Sequence, residues 1–306
     1  MSKITFAFIV IGFLLLPFGA LESEWLKQAE AIISAILIGT FGISHGAIDN
    51  HLYGFKNTRE NIRFITIYVI SALLFGLVWL VHSNIAFLLF LLISAYHFGQ
   101  SQFIVYARKK LKLERTLYLI WGSWLLLIFI SMNSAELYQS YFASLLNIKL
   151  FRQLLYFSNP LSVFFSVLLL MILFYNVWRD RLSVQQCFIE LYQLFAIAVV
   201  FFISSPLVGF TIYFVILHSI RVLSQEYQYF QSKNNTFSIA SFIKMILPFT
   251  LISLIGLAFL VLIVFWFELS ISLPLTALIF ISCLTFPHAF VMDIFYQKNK
   301  PKFAES

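Results

Sequence analysis

The sequence predicts an all-α membrane protein, a polytopic transmembrane helix bundle of about ten spans that forms a single domain over residues 1–306. The first reason is composition: 61% of the residues are hydrophobic and only 11% are charged, whereas about a quarter of an ordinary soluble domain is charged. The second is that the hydrophobic residues come in runs of roughly 20, the length that a helix needs to cross a bilayer. The third is that the charged residues cluster between these runs.

Ten apolar runs are long enough to be membrane helices. They lie at residues 4–20, 29–48, 62–82, 85–105, 117–132, 160–178, 187–205, 207–224, 242–267 and 271–296. The first run also resembles a cleaved signal peptide, but Phe18-Gly19-Ala20 is a poor cleavage site, so we interpret it as a membrane helix. Between the fifth and sixth runs, aromatic and leucine side chains among polar positions predict an outer amphipathic or re-entrant segment at 133–159.

The basic residues predict the orientation of the bundle. If the N-terminus is cytoplasmic, sixteen of the 20 basic residues fall in inner segments, and only Lys27, Lys149 and Arg152 fall in outer ones. An excess of Lys and Arg is typical of cytoplasmic loops, so we expect both termini inside. Because no basic face continues along a soluble element, the charge indicates contact with the lipid bilayer and not with nucleic acid.

Four of the six histidines lie inside predicted spans, where ionisable side chains are costly, roughly 2.5–3.5 kcal/mol for a charged one. They are His45, His97, His218 and His288, in the second, fourth, eighth and tenth spans. These spans run in the same direction, and each histidine lies a few residues before the inner end, so the four share one depth. Helix bundles build metal sites from facing side chains, and we expect at least three of the four to bind one ion. Ligation by imidazole alone suits Fe(II), Zn, Cu or Ni.

Polar residues close to the histidines in sequence predict support for such a site. Asp49 follows His45 by four residues, so on a regular helix its carboxylate could accept the second imidazole N–H. The other predicted supporting residues follow a histidine by three to five positions: Gln100 after His97, Arg221 after His218 and Asp293 after His288. The alternative is a proton relay in a proton-coupled carrier, but the chain shows no evident inverted repeat. Partners for a relay would be Asp49, Glu190, Arg221 and Asp293.

Four short segments, taken in order, resemble the Brp/Blh family of bacterial membrane β-carotene 15,15′-dioxygenases. They are His45-Gly46-Ala47-Ile48-Asp49, His97-Phe98-Gly99, His218-Ser219-Ile220-Arg221 and Thr285-Phe286-Pro287-His288. The resemblance implies an oxidoreductase of the bacterial inner membrane that cleaves β-carotene centrally with O₂ into two retinals. It also implies a non-haem iron cofactor, Fe(2+), and a carotenoid substrate that arrives from the bilayer. By resemblance, His45, His97 and His218 fall on iron-ligand positions.

One position departs from the family pattern. The family has another ligating histidine four residues after the one that matches His218, and here that position is Val222. Valine cannot coordinate a metal, so His288 becomes the candidate fourth ligand. Three imidazoles would still leave coordination positions open for O₂ and substrate. The departure keeps a second interpretation open, a catalytically altered or metal-free carotenoid-binding paralogue.

Overall fold

A computed structural model describes residues 3–15, 24–54, 57–139, 147–268 and 271–303, and the regular structure in these ranges is helical. The α-helices are α1 Lys3–Leu15, α2 Glu24–Leu37, α3 Asp49–Tyr53, α4 Thr58–Val81, α5 Ser83–Phe103, α6 Glu114–Met132, α7 Ser134–Gln139, α8 Lys149–Trp178, α9 Val184–Ile203, α10 Pro206–Ile212, α11 Ile220–Lys233, α12 Ile239–Trp266 and α13 Leu273–Phe303. Two π-helical segments, Ile38–Gly42 and Tyr213–Ser219, and two 3₁₀ segments, Ser44–Gly46 and Ile104–Lys109, continue several of them.

Within the described ranges, nine helical stretches are long and apolar enough to cross a membrane. They are Trp25–Tyr53, Thr58–Val81, Ser83–Tyr106, Glu114–Met132, Lys149–Trp178, Val184–Ile203, Pro206–Lys233, Ile239–Trp266 and Leu273–Asn299. These stretches match the second to tenth predicted spans in order, so the all-α, multi-pass prediction is confirmed. Of the first predicted span, 4–20, the structure describes the part in α1, and the rest lies outside the described residues. The placement of both termini on the inner side stays a prediction.

The sixth span begins earlier than the sequence predicted. The prediction placed its start at Pro160 and assigned 133–159 to an outer segment, but α8 is one helix of 30 residues with Pro160 in its interior. Residues 149–159 are therefore helical and continuous with the sixth span, and their location on the outer side stays a prediction. A proline inside a membrane helix is tolerated because neighbouring groups satisfy the freed carbonyl, so it does not have to mark a helix start. Of the rest of that segment, 134–139 form α7 and 140–146 lie outside the described residues.

The break between the seventh and eighth spans lies where the sequence placed it. Helix α9 ends at Ile203, and Pro206 begins α10, where its missing N–H costs nothing. The hydroxyl of Ser205 accepts a hydrogen bond from the backbone N–H of Val208 and caps the new helix. The π-helical segment Tyr213–Ser219 then connects α10 to α11 without a break.

Two glycines let α5 and α6 touch backbone to backbone. A Cβ atom on Gly99 would lie 2.0 Å from the carbonyl oxygen of Tyr118, and one on Gly122 would lie 1.8 Å from that of Ala95. Small residues at helix crossings permit this close packing in membranes. Because His97 lies between Ala95 and Gly99, the contact fixes the depth and rotation of a candidate ligand.

Candidate metal centre

The four candidate histidines lie on two kinds of backbone. His97 and His288 lie in the regular helices α5 and α13, whereas His45 lies in the 3₁₀ turn Ser44–Gly46 and His218 in the π-helical segment Tyr213–Ser219. Single π-helical turns inside membrane or soluble helices frequently occur at functional sites, because the wider turn changes the direction of its side chains. All four side chains are buried, with 6% exposure or less.

The four imidazoles form a closed ring of neighbours. The ring centroid of His45 lies 5.0 Å from that of His218 and 4.8 Å from that of His288. The centroid of His97 lies 4.9 Å from that of His218 and 5.0 Å from that of His288. His45 and His97 lie on opposite sides of this group of four, and their ring centroids are 6.3 Å apart. Residues separated by more than 240 positions in the chain therefore meet at one point inside the bundle.

The nitrogen atoms at the centre of this ring fit a metal ion. One nitrogen each of His45, His97 and His288 lie within 4.8 Å of one another. Nitrogens bound at about 2.1 Å to one ion in tetrahedral geometry lie about 3.4 Å apart, so a contraction of about 1.4 Å at most brings this trio onto an ion. His218 belongs to the same ring of imidazoles through its contacts with His45 and His97.

Unpartnered nitrogens provide a second test of the fit. Five buried imidazole nitrogens have no hydrogen-bond partner among the described residues: Nδ1 of His45, both nitrogens of His97, and Nε2 of His218 and of His288. A buried polar atom without a partner costs about 1–3 kcal/mol. An ion that accepts a lone pair from each ring would remove that cost at four of the five nitrogens, so the donor set suits a metal that imidazole prefers.

Asp49 supports a different histidine from the one predicted. Both of its carboxylate oxygens lie 3.0 Å from Nδ1 of His288, whereas the sequence predicted that Asp49 would support His45. That prediction needs a regular α-helix from His45 to Asp49, but a 3₁₀ turn and the non-helical Ile48 interrupt it. The contact with His288 still has the form that supports a metal ligand, a carboxylate on the outer imidazole N–H.

Gln100 and Asp293 bond to each other instead of to a histidine. The side-chain amide of Gln100 donates to Asp293 Oδ1 at 2.7 Å, and the Tyr96 hydroxyl donates to the same oxygen at 3.1 Å. Neither nitrogen of His97, the predicted partner of Gln100, has a hydrogen-bond partner within the described part of the chain. A carboxylate is a stronger acceptor than a neutral imidazole, which explains why Gln100 bonds to Asp293 and not to His97. These two residues connect α5 to α13 beside the ring of imidazoles.

Arg221 and Glu190 belong to a second buried polar cluster. Arg221 Nη1 donates to Gln102 Oε1 and not to His218. The amide nitrogen of Gln102 donates to Glu190 Oε2 at 2.8 Å, and the Tyr106 hydroxyl donates to Glu190 Oε1 at 2.7 Å. Gln193 also exchanges hydrogen bonds of 3.2 Å with Gln102. Both oxygens of Glu190 are therefore satisfied, which is typical of a structural network.

Sequence reasoning missed Ser101. Its hydroxyl oxygen lies 3.1 Å from Nδ1 of His218, and its side chain is 3% exposed. The available signal was its position four residues after His97, on the same face of α5. That signal is weak, because serine is common in membrane helices.

Val222 leaves no polar group at the position where the family pattern has a ligand. Its side chain is fully buried in an apolar cluster with Ala47, Ile48, Ile104 and Met292. The fourth imidazole of the ring comes instead from His288 on α13. The structure thus brings four histidines together without a contribution from position 222.

An apolar cavity of about 390 Å³ reaches the ring of imidazoles from one side. His45, His288 and Asp49 form its polar end, and its other walls come from α4, α12, α13 and the π-helical segment Ile38–Gly42. Its lining on α13 runs from Phe280 to His288, about 12 Å along a helix. At its rim, Leu73 of α4 and Ile252 of α12 are 65% and 63% exposed on the apolar outer surface, which lipid would cover.

Fold and site together define a multi-pass membrane protein with a buried histidine cluster that could hold a metal ion beside an apolar cavity. Comparison with protein families identifies it further: the model of the beta-carotene 15,15'-dioxygenase family matches residues 36–296, which include all four histidines. The chain belongs to this family, whose members are dioxygenases, and membership implies cleavage of a carotenoid with O₂. Neither the curated proteins nor the solved structures provide a match.

Proposed function

We propose that the protein cleaves β-carotene, or a closely related carotenoid, at its central 15,15′ double bond with O₂ and releases two retinals. The reaction takes place at an Fe(2+) ion bound by His45, His97, His218 and His288. The observation that carries the proposal is that four imidazoles with unpartnered nitrogens meet at the polar end of an apolar cavity in a member of this family.

The chemistry balances without a reductant. The central carbon–carbon double bond breaks, two aldehyde groups form, and each takes one atom of O₂. When bound, iron supplies the activation of O₂ that this reaction needs. The carboxylate of Asp49 holds the imidazole of His288 in place from its outer side, which keeps Nε2 free to face the ion.

The cavity supplies binding, orientation and exclusion of water. Its walls are almost entirely apolar, so they suit a hydrocarbon polyene and hold it with its reacting bond beside the histidines. Because the rim lies on the outer, lipid-covered surface, the substrate enters sideways from the bilayer of the bacterial inner membrane. A water-filled route is not needed for a substrate that dissolves in lipid.

Expression in bacteria that accumulate β-carotene tests the proposal directly. We expect bleaching of the cells and formation of retinal with the unaltered protein. His97→Ala should abolish both, because it removes one ligand. His82→Ala is the matched control, since His82 is exposed at the end of a helix away from the ring of imidazoles. Retinal formation at the normal rate by His97→Ala would overturn the proposed site.

Val222 favours a second candidate, a carotenoid-binding protein that has lost its iron. Metal analysis after anaerobic reconstitution separates the two. Bound iron at one ion per chain supports the dioxygenase, whereas bound carotenoid with no iron and no retinal supports the binding protein. The proton-coupled carrier has less support, because Glu190 and Arg221 are hydrogen-bonded within their own cluster.

A further inference from the structure

We infer that Ser101 is a positioning residue for His218: its hydroxyl oxygen accepts a hydrogen bond from Nδ1–H and thereby leaves Nε2 of His218 to bind the metal. The inference rests on the proposed metal centre and goes beyond it, because it assigns the tautomer of one ligand and the residue that selects it.

The hydrogen bonds of Ser101 determine the direction of this contact. A serine hydroxyl has one hydrogen to donate and two lone pairs. The Ser101 hydroxyl donates its hydrogen to the carbonyl oxygen of Phe98 at 2.9 Å. Its oxygen therefore meets Nδ1 of His218, 3.1 Å away, as an acceptor. A neutral imidazole with a hydrogen on Nδ1 carries its lone pair on Nε2.

The surroundings of the second ring nitrogen of His218, Nε2, agree with this assignment. Nε2 is buried without a hydrogen-bond partner in the described ranges, and the imidazole lies against those of His45 and His97. A hydrogen on Nε2 would be a buried donor without an acceptor among the described residues, at a cost of about 1–3 kcal/mol. A lone pair on Nε2 is instead the group that a metal ion needs.

His288 shows the same arrangement with a different acceptor. Asp49 contacts its Nδ1, and its Nε2 has no hydrogen-bond partner among the residues that the structure describes. Two of the four imidazoles are thus held from outside through Nδ1, one by a carboxylate and one by a hydroxyl. Such outer partners typically change metal affinity by about 10- to 100-fold when they are removed.

The chain offers a closely matched control for a substitution of Ser101. Ser158 on α8 is 1% exposed and donates to the carbonyl oxygen of Leu155 at 2.9 Å, the same bond to a residue three positions earlier. Within the described ranges, it forms no hydrogen bond with a histidine. Ser158→Ala therefore removes the same buried hydroxyl and the same intrahelical bond without touching the metal centre.

Titration of the metal-free protein in detergent with Co(II), followed by the visible absorption of the bound ion, tests the inference. We expect Ser101→Ala to bind Co(II) about 10- to 100-fold more weakly and with a changed spectrum. Ser101→Thr keeps the hydroxyl and should restore both, and Ser158→Ala should match the unaltered protein. Equal affinity and an unchanged spectrum for Ser101→Ala would overturn the role of Ser101 while the centre stands. Failure of the unaltered protein to bind Co(II) or iron would overturn the proposed function itself.

A measurement on the unaltered protein covers the case in which Ser101→Ala does not fold. In protein loaded with Zn(II) and labelled with isotopes in its histidines, nuclear magnetic resonance distinguishes a hydrogen on Nδ1 from one on Nε2. We expect His218 to carry its hydrogen on Nδ1. A hydrogen on Nε2 would contradict the inference without any substitution.

Discussion

Two buried polar regions lie close together in this bundle, and they differ in how completely their atoms are bonded. In the Glu190 cluster, both carboxylate oxygens accept hydrogen bonds, and Gln102 links Glu190 to Arg221. In the ring of four histidines, five nitrogens have no hydrogen-bond partner in the part of the chain that the structure describes. Since unbonded buried polar atoms cost free energy, the bonded region stabilises the fold, and the unbonded one could hold a metal ion.

The largest expected effect is the loss of metal binding on substitution of His288, in the ring of four histidines. His288→Ala should reduce iron binding by more than about 100-fold, because it removes one ligand and leaves the Asp49 carboxylate buried without its imidazole. Metal analysis of the purified protein measures this, with His82→Ala as the control. Full iron content in His288→Ala would show that the remaining three imidazoles hold the ion without help from α13.

A smaller effect of a different kind is expected at Glu190. Glu190→Ala should lower the free energy of unfolding by about 1–3 kcal/mol, because Tyr106 and Gln102 lose a buried hydrogen-bond acceptor. Metal affinity of the protein that stays folded should change by less than about threefold, since α9 carries none of the four imidazoles. Thermal unfolding in detergent and Co(II) titration measure the two quantities. Gln185→Ala, at an exposed position on the same helix, is the control. Lost metal binding with unchanged stability would remove the distinction between the regions.

The smallest effect is expected at Glu226, which belongs to neither region. This side chain is fully buried on α11, and both of its carboxylate oxygens have no partner among the described residues. Glu226→Gln removes an acidic group from an apolar setting, so it should raise the free energy of unfolding by up to about 1 kcal/mol. Thermal unfolding again measures it. A clear loss of stability or of retinal formation would assign Glu226 a task that its contacts do not show.

Much of the fold was predictable because the bilayer imposes strong rules on a sequence. Apolar runs of sufficient length located nine membrane helices in the described ranges, and the cost of buried imidazoles singled out the four histidines. The start of α8 was missed because Pro160 suggests a helix start by its lack of an N–H, although a membrane helix can contain it.

The partners of the histidines were not predictable from spacing along the chain. Asp49 meets His288 across 239 positions, and Ser101 meets His218 across 117. The i+3 and i+4 rules apply to one regular helix, so they fail at Asp49, where a 3₁₀ turn intervenes. They also fail at Gln100 and Arg221, because acceptors on other helices outcompete the nearby histidine. Helix packing decides these contacts, and one sequence does not encode it in a local pattern.

The imidazoles and much of the cavity wall come from different helices, which has a consequence for evolution and engineering. The imidazoles come from the α2–α3 connection, α5, α13 and the segment before α11, and α5 is locked to α6 through Gly99 and Gly122. Helices α4 and α12 contribute walls of the cavity and no imidazole, although Tyr68 of α4 hydrogen-bonds to Asp49 and Thr250 of α12 contacts Ser44. Under the proposed function, changes elsewhere in those two helices can therefore alter the choice of polyene while the four imidazoles keep their geometry, so substrate range and chemistry can diverge separately.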